Sequence, residues 1–241
     1  PHGRAVAETG WYYDSSTDEA LTDLDLSEYS MLIWATGEES TDDESFSTAQ
    51  QELLRDYVAD GGTLWVSGAE ILWDLDEKGS ESDRAFAEEI LGVTLDEDNA
   101  NATVATGVGL LDGLEMDFGT NAPYPVEYPD TLASEHTVIA QYEGGATAGT
   151  LGNGVAMFGF PFDAIGDETA QANLAEALLP ALVPDYVPPD PEDDVTADKE
   201  SHRLPRLLLR DLKGCNTSPM PVEGCLIFSL LALVRRQRRI P

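Results

Sequence analysis

Met31-Leu32-Ile33-Trp34-Ala35-Thr36-Gly37-Glu38-Glu39-Ser40-Thr41 and, one helix-length later, Thr63-Leu64-Trp65-Val66-Ser67-Gly68-Ala69-Glu70-Ile71-Leu72-Trp73-Asp74-Leu75-Asp76 repeat one pattern. In each, an apolar run (Met31 to Trp34, Thr63 to Val66) gives way to small turn-forming residues and then to carboxylates. A short continuous apolar run of this kind reads as a strand buried on both faces. Between the two lies the clearest helix of the chain. Ser47 or Thr48, with Gln50 or Gln51 three residues on, makes a capping box, Leu53, Leu54, Tyr57 and Val58 share one face, and Gly61-Gly62 ends the helix. A helical crossover makes its flanking strands parallel, so both acidic clusters should leave the same carboxyl edge of one sheet, where open α/β folds place their ligands.

Working outward, Gly10 to Asp14 reads as a short strand, and Leu21, Leu24 and Leu26 as helical turns in an acidic loop. Asp83 to Leu91 reads as a second amphipathic helix stopped by Gly92. From Val93 to Thr150 the pattern changes to short β-rich segments (Thr103 to Thr106, Glu115 to Phe118, Tyr124 to Val126, Thr137 to Tyr142, Ala146 to Thr150) broken by Gly, Asn, Asp and Pro, an antiparallel insertion or edge region. Gly154 to Phe160 resumes a buried strand, and Asp167 caps a final helix through Leu174, Ala177, Leu178 and Leu182. The organisation is therefore an α/β domain over residues 1–183 with its β-rich insertion at about 93–150, an acidic Pro-rich linker at 184–200, and a basic, Cys-containing tail at 201–241. The tail carries Cys215, Cys225, the apolar run Leu226 to Val234 and an arginine cluster; its apolar run is shorter than the roughly 20 residues a membrane-spanning helix needs. Cys215 and Cys225, beyond the linker, are expected not to bond to the main domain.

Charge divides the chain in the same place. Of 46 acidic and 13 basic residues, residues 1–199 hold 43 and 5. So negative a surface repels nucleic acid and anionic membranes, and with only Lys78, Lys199 and Lys213 as lysines it suits salty surroundings. Cysteine is absent from that body, which excludes disulfides and a cysteine nucleophile there. The chain opens at Pro1 with neither Met nor an apolar leader and reads as an internal piece of a longer protein whose signal peptide lies elsewhere.

Three separated motifs, Ile33 to Thr41, Ser67 to Ile71 with Trp73 to Asp76, and Phe158-Gly159-Phe160-Pro161-Phe162-Asp163-Ala164-Ile165, resemble a module of secreted bacterial multidomain proteins described as xanthan lyase-like, golvesin-domain or N-acetylmuramoyl-L-alanine amidase-like. The order Gly-Cys, apolar run, arginine cluster resembles a myxobacterial C-terminal sorting tail, so that any membrane association would run through the tail. The resemblance covers about Gly10 to Val183. It implies a three-layer, flavodoxin-like, mainly parallel fold akin to class I glutamine amidotransferases. Such modules begin with an additional strand before Tyr12-Tyr13-Asp14, so the resemblance also implies N-terminal truncation. In amidotransferases a cysteine follows the strand matched by Thr63 to Val66 and a histidine follows a late strand; here those places hold Ser67-Gly68-Ala69 and Pro161-Phe162-Asp163. His136 reads as a surface residue before a strand, and His2 and His202 lie in end segments.

Carboxylates remain as the candidate chemistry. Thr36, Gly37, Glu38, Glu39, Ser67, Glu70, Asp74 and Asp163 are expected to line one edge pocket, with Glu38, Glu39, Glu70 and Asp74 as candidate ligands for Ca2+. The same residues also read as turn-fixing hydrogen-bond acceptors, with Glu70 at a helix start. The leading expectation is a non-catalytic accessory or binding domain, secreted or at the cell surface, that takes a cation, glycan or partner beside neighbouring domains and extracellular polysaccharide or cell wall. The alternatives are a polysaccharide or cell-wall hydrolase using Glu38 or Glu39 with Glu70, and a structural spacer. Trp34, Trp65 and Trp73 read as packing residues, and Trp11 as an exposed platform.

Overall fold

A computed structural model describes residues 1–18, 20–38, 42–186 and 230–235, with Glu38 and 230–235 described by backbone alone. In chain order its main elements are α1 (His2–Glu8), β1 (Tyr13–Thr17), β2 (Tyr29–Glu38), α2 (Thr48–Ala59), β3 (Thr63–Ala69), α3 (Glu81–Phe86), β4 (Thr94–Glu97), β5 (Val104–Gly107), β6 (Glu115–Asp117), β7 (Thr131–Ala133), β8 (Thr137–Tyr142), β9 (Thr147–Gly152), β10 (Val155–Phe158), α4 (Glu168–Leu182) and β11 (Leu230–Arg235). All belong to one compact unit. The linker and tail expected over 184–200 and 201–241 fall outside the described residues apart from 184–186 and β11, as do Cys215 and Cys225.

The three apolar runs form the parallel centre. β2 pairs with β3, Met31 opposite Thr63, and β3 with β10, Leu64 opposite Val155, all parallel. Successive side chains alternate between faces. Met31, Ile33, Trp65, Ala156 and Phe158 pack in a core with Val6 of α1 and Leu174 and Leu178 of α4. Leu32, Trp34, Leu64, Val66 and Met157 pack in a second core with Leu54 and Tyr57 of α2 and Phe86 of α3. Helices therefore cover both faces of these strands, which is why their sequences read as unbroken apolar runs. Ser47 caps α2 by accepting from the Gln50 amide while the Gln50 side chain accepts from the Ser47 amide. Ser80 and Asp83 do the same for α3, a π-helical turn over Ala87–Leu91 carries it to Gly92 at φ 71°, and Asp167 caps α4.

The expected flavodoxin-like, mainly parallel three-layer fold is corrected here. The nine-stranded sheet runs β1-β11-β2-β3-β10-β9-β8-β5-β6, and only the β2–β3 and β3–β10 pairs are parallel; the six others are antiparallel. The physical reason is connection length. β8 returns into β9 through a turn containing Gly144 and Gly145 (φ 94° and 95°), and β9 into β10 through Asn153 and Gly154 (φ 51° and 77°). Tight turns with positive φ join antiparallel strands, whereas parallel neighbours need a crossover. The β-rich stretch thus supplies four of the nine strands of the main sheet, and among the described residues β4 and β7 pair apart from it. Tyr124–Val126, expected as a strand, is irregular.

Candidate functional site

β2, β3 and β10 end at one edge, and residues in and just beyond their last turns carry polar groups. Gly37 (φ 70°) turns the end of β2, and Gly68 lacks the Cβ that would collide with the Thr36 hydroxyl, so the two strand ends close on each other. Thr36 and Ser67 are both buried, and neither hydroxyl has a hydrogen-bond partner among the described residues.

Glu70 leaves β3 in the left-handed region at φ 64°, a conformation that costs a residue with a Cβ about 1–2 kcal/mol. That turn swings it into the next helical segment, where its carbonyl accepts the Asp74 amide at 2.9 Å. Its side chain is only 5% exposed and Oε2 is unpartnered. Burial, with Asp98 nearby, pushes its carboxyl up to about 7. Beside it sits Asp130, fully buried, whose Oδ2 accepts the Leu72 amide at 2.8 Å while Oδ1 is unpartnered. Burial raises Asp130 well above the usual carboxylate range; the Leu72 amide works against this, and the negative charges of Glu70 and Asp98 add to it. Its carbonyl accepts the Tyr142 hydroxyl at 3.0 Å, and Gly159, just past β10, leaves room for that carbonyl. Asp98 Oδ1 is likewise buried and unpartnered. Three carboxylates thus face one another with no lysine or arginine pairing to them among the described residues. They are not a preformed coordination sphere, since no group of three or more His, Cys, Asp or Glu among those residues is arranged to hold a metal.

The other expected site residues are placed as follows. Asp74 accepts the Ser45 amide at 2.9 Å and pairs with Lys78 at 3.2 Å, which fixes the loop before α2 and engages it away from Glu70. Asp163 accepts the Tyr124 hydroxyl at 2.8 Å and borders a separate cavity of about 350 Å³ with Arg4, Asn121 and Glu168. Glu38 ends β2, described by backbone alone, and Glu39 lies outside the described residues. Glu70, with Thr36 and Ser67, is therefore at the buried edge as expected and is the expected carboxylate placed there, and Asp98 and Asp130 are partners that the sequence did not signal. Tyr128-Pro129-Asp130 has the composition of an ordinary turn, and nothing local announces that Asp130 is buried.

No histidine joins Ser67. His2 is buried against Phe162, with ring centroids 4.5 Å apart, and burial, with the N-terminal charge, lowers its pKa to about 3. His136 is half-buried, packs near Gly92 and Gly152, and contacts the Asn153 amide at 3.2 Å. Trp34 and Trp65 are core residues as expected. Trp11 is not an exposed platform, because it is buried and stacks on Tyr186 at 3.7 Å.

No family model matches the chain, and no curated protein matches it. Among solved structures, the mmIFT52 N-terminal domain aligns over 72% of this chain and 83% of its own, at 15% identity and a TM-score of 0.41. That likeness is too slight to carry an argument. The resemblance to the amidotransferase-like module and to xanthan lyase-like, golvesin-domain or amidase-like proteins is corrected. None of the comparisons returns such a protein, and the sheet lacks the mainly parallel order it required.

Proposed function

We propose that this chain is a non-catalytic binding domain whose carboxylate-lined strand edge takes a hard cation, with calcium as the test ion. The observation that carries this is the trio Glu70, Asp98 and Asp130, each with a buried, unpartnered carboxylate oxygen. Uncompensated negative charge in a low-dielectric site is costly, and either a proton or a cation relieves it. Oxygen-only donors favour calcium over softer metals. Binding would draw the carboxylates around an ion that supplies the charge they lack. An acidic surface with few lysines supports placement outside the cell, beside neighbouring domains of a longer protein.

Thermal melts of the wild type and Glu70→Gln, each with calcium and with chelator, test the reading. A ligand that binds only the native state raises Tm with its concentration, so calcium should raise the wild-type Tm and leave Glu70→Gln unmoved. An unchanged wild-type Tm removes the cation. Equal destabilisation by Glu70→Gln in both conditions would instead give Glu70 a purely structural role. One observation favours a second reading: a carboxyl held protonated near neutral pH suits a general acid, as a polysaccharide hydrolase would need. That reading requires turnover of a polysaccharide that Glu70→Gln abolishes.

A further inference from the structure

The main sheet contains a strand that arrives from far along the chain. β11 lies between β1 and β2 and is antiparallel to both, with Leu231 opposite Ser16 on one side and Trp34 on the other. Among the described residues β1 pairs with no other strand, and β1 and β2 do not pair with each other. Without β11, two rows of backbone amides and carbonyls would face each other across an empty slot one strand wide. An open edge of that kind is a template for any strand of the right length and pattern. The occupant, Leu230-Leu231-Ala232-Leu233-Val234, is apolar and uncharged, and it follows α4 after residues 183–229.

Entry into the chain's own slot and entry into a neighbour's form the same two ladders and differ chiefly in effective concentration. We propose that the slot between β1 and β2 is an exchangeable strand-acceptor site, and that two copies of this chain join by reciprocally inserting their Leu230–Arg235 segments. The partner is thus a second copy, recognised by backbone pairing in the antiparallel register seen here, Leu230 opposite Ala35 and Val234 opposite Met31. This inference is independent of the carboxylate edge.

The test refolds tagged and untagged full chains together from denaturant, under reducing conditions that exclude links through Cys215 and Cys225, at low and at high protein concentration. Expected are co-purification of the untagged chain on the tag and a species of twice the monomer mass whose share rises with concentration. Chains mixed after folding should exchange far less. Leu231→Pro with Leu233→Pro should abolish capture, because every amide of a strand flanked on both sides is needed in one ladder or the other. Monomer at every concentration overturns the proposal, and so does a dimer that survives the two prolines. Should the proline variant fail to fold, a synthetic peptide spanning residues 228–237 is added during refolding. Recovery of the wild-type melt then supports the acceptor slot, and no recovery overturns it.

Discussion

From Met31 to Thr36, Leu64 to Ala69 and Val155 to Phe158 every residue is buried, whereas β5, β6 and β8 of the same sheet interrupt their burial with exposed or half-exposed positions. The two halves are continuous in hydrogen bonding and differ in what covers them. α1 and α4 on one face and α2 and α3 on the other enclose the parallel strands, while the antiparallel strands contribute to the core that contains α1 and α4. The lesson is that strand direction and covering vary together. Of the strands buried on both faces, β3 leads directly into Glu70, and Asp98 beyond β4 and Asp130 before β7 come near it with no basic residue pairing to the three among the described residues.

The contrast is broken most directly by truncation. Trp65→Ala, in β3, should destabilise the fold by about 3–5 kcal/mol, since it removes a fully buried ring packed on Phe162 at 4.9 Å. Val138→Ala, at a half-buried position of β8, should lose only about 1 kcal/mol, a common value for a single substitution. Equal losses in urea melts would show that the two halves share one degree of burial.

A pH series sharpens the contrast at the strand edge. Glu70 has a folded pKa of about 7 against an ordinary value of 4.5, so the folded state binds its proton more tightly than the unfolded chain. The stability it contributes is complete below about pH 4.5 and is lost as pH rises through 7. Asp130, also raised, acts in the same direction. Wild-type stability should therefore fall across that window, Glu70→Gln should flatten the fall, and calcium should bind more tightly as pH rises. A stability profile that Glu70→Gln leaves unchanged would separate Glu70 from the cluster. An effect as small as that of Val138→Ala is expected away from both the core and the carboxylates: Ser47→Ala removes the α2 cap for about 1 kcal/mol, measurable by thermal melts and independent of pH between 5 and 8 to about 0.3 kcal/mol.

The sequence made the parallel triplet readable because burial on both faces leaves an unbroken apolar run, and it made α2 readable because Ser47 and Gln50 act locally. It did not reveal the order of the sheet. The hairpin turns at Gly144-Gly145 and Asn153-Gly154 were visible only as generic breaks, and the antiparallel strands they join are too short to show which neighbour they choose. At the edge, Glu70 was visible from its place after an apolar strand, while Asp98 and Asp130 acquire their meaning only when segments far apart in sequence meet around it. Trp11 failed for the same reason, since its stacking partner Tyr186 lies at the far end of the main body. α1 left no periodic signal that its short length could carry, although it buries His2, Ala5 and Val6.

The position of β11 also has a consequence for synthesis. A chain leaves the ribosome from its N-terminus, so β1 and β2 are made before roughly two hundred further residues, and the strand that joins them is added only after those. Local hairpins such as β8–β9 can close as they emerge, but the β1–β11 pairing spans nearly the whole chain and belongs to the slowest class of contact. Throughout that interval a nascent chain presents an unfilled seam, and on a polysome the nearest source of a matching strand is a more advanced copy of itself.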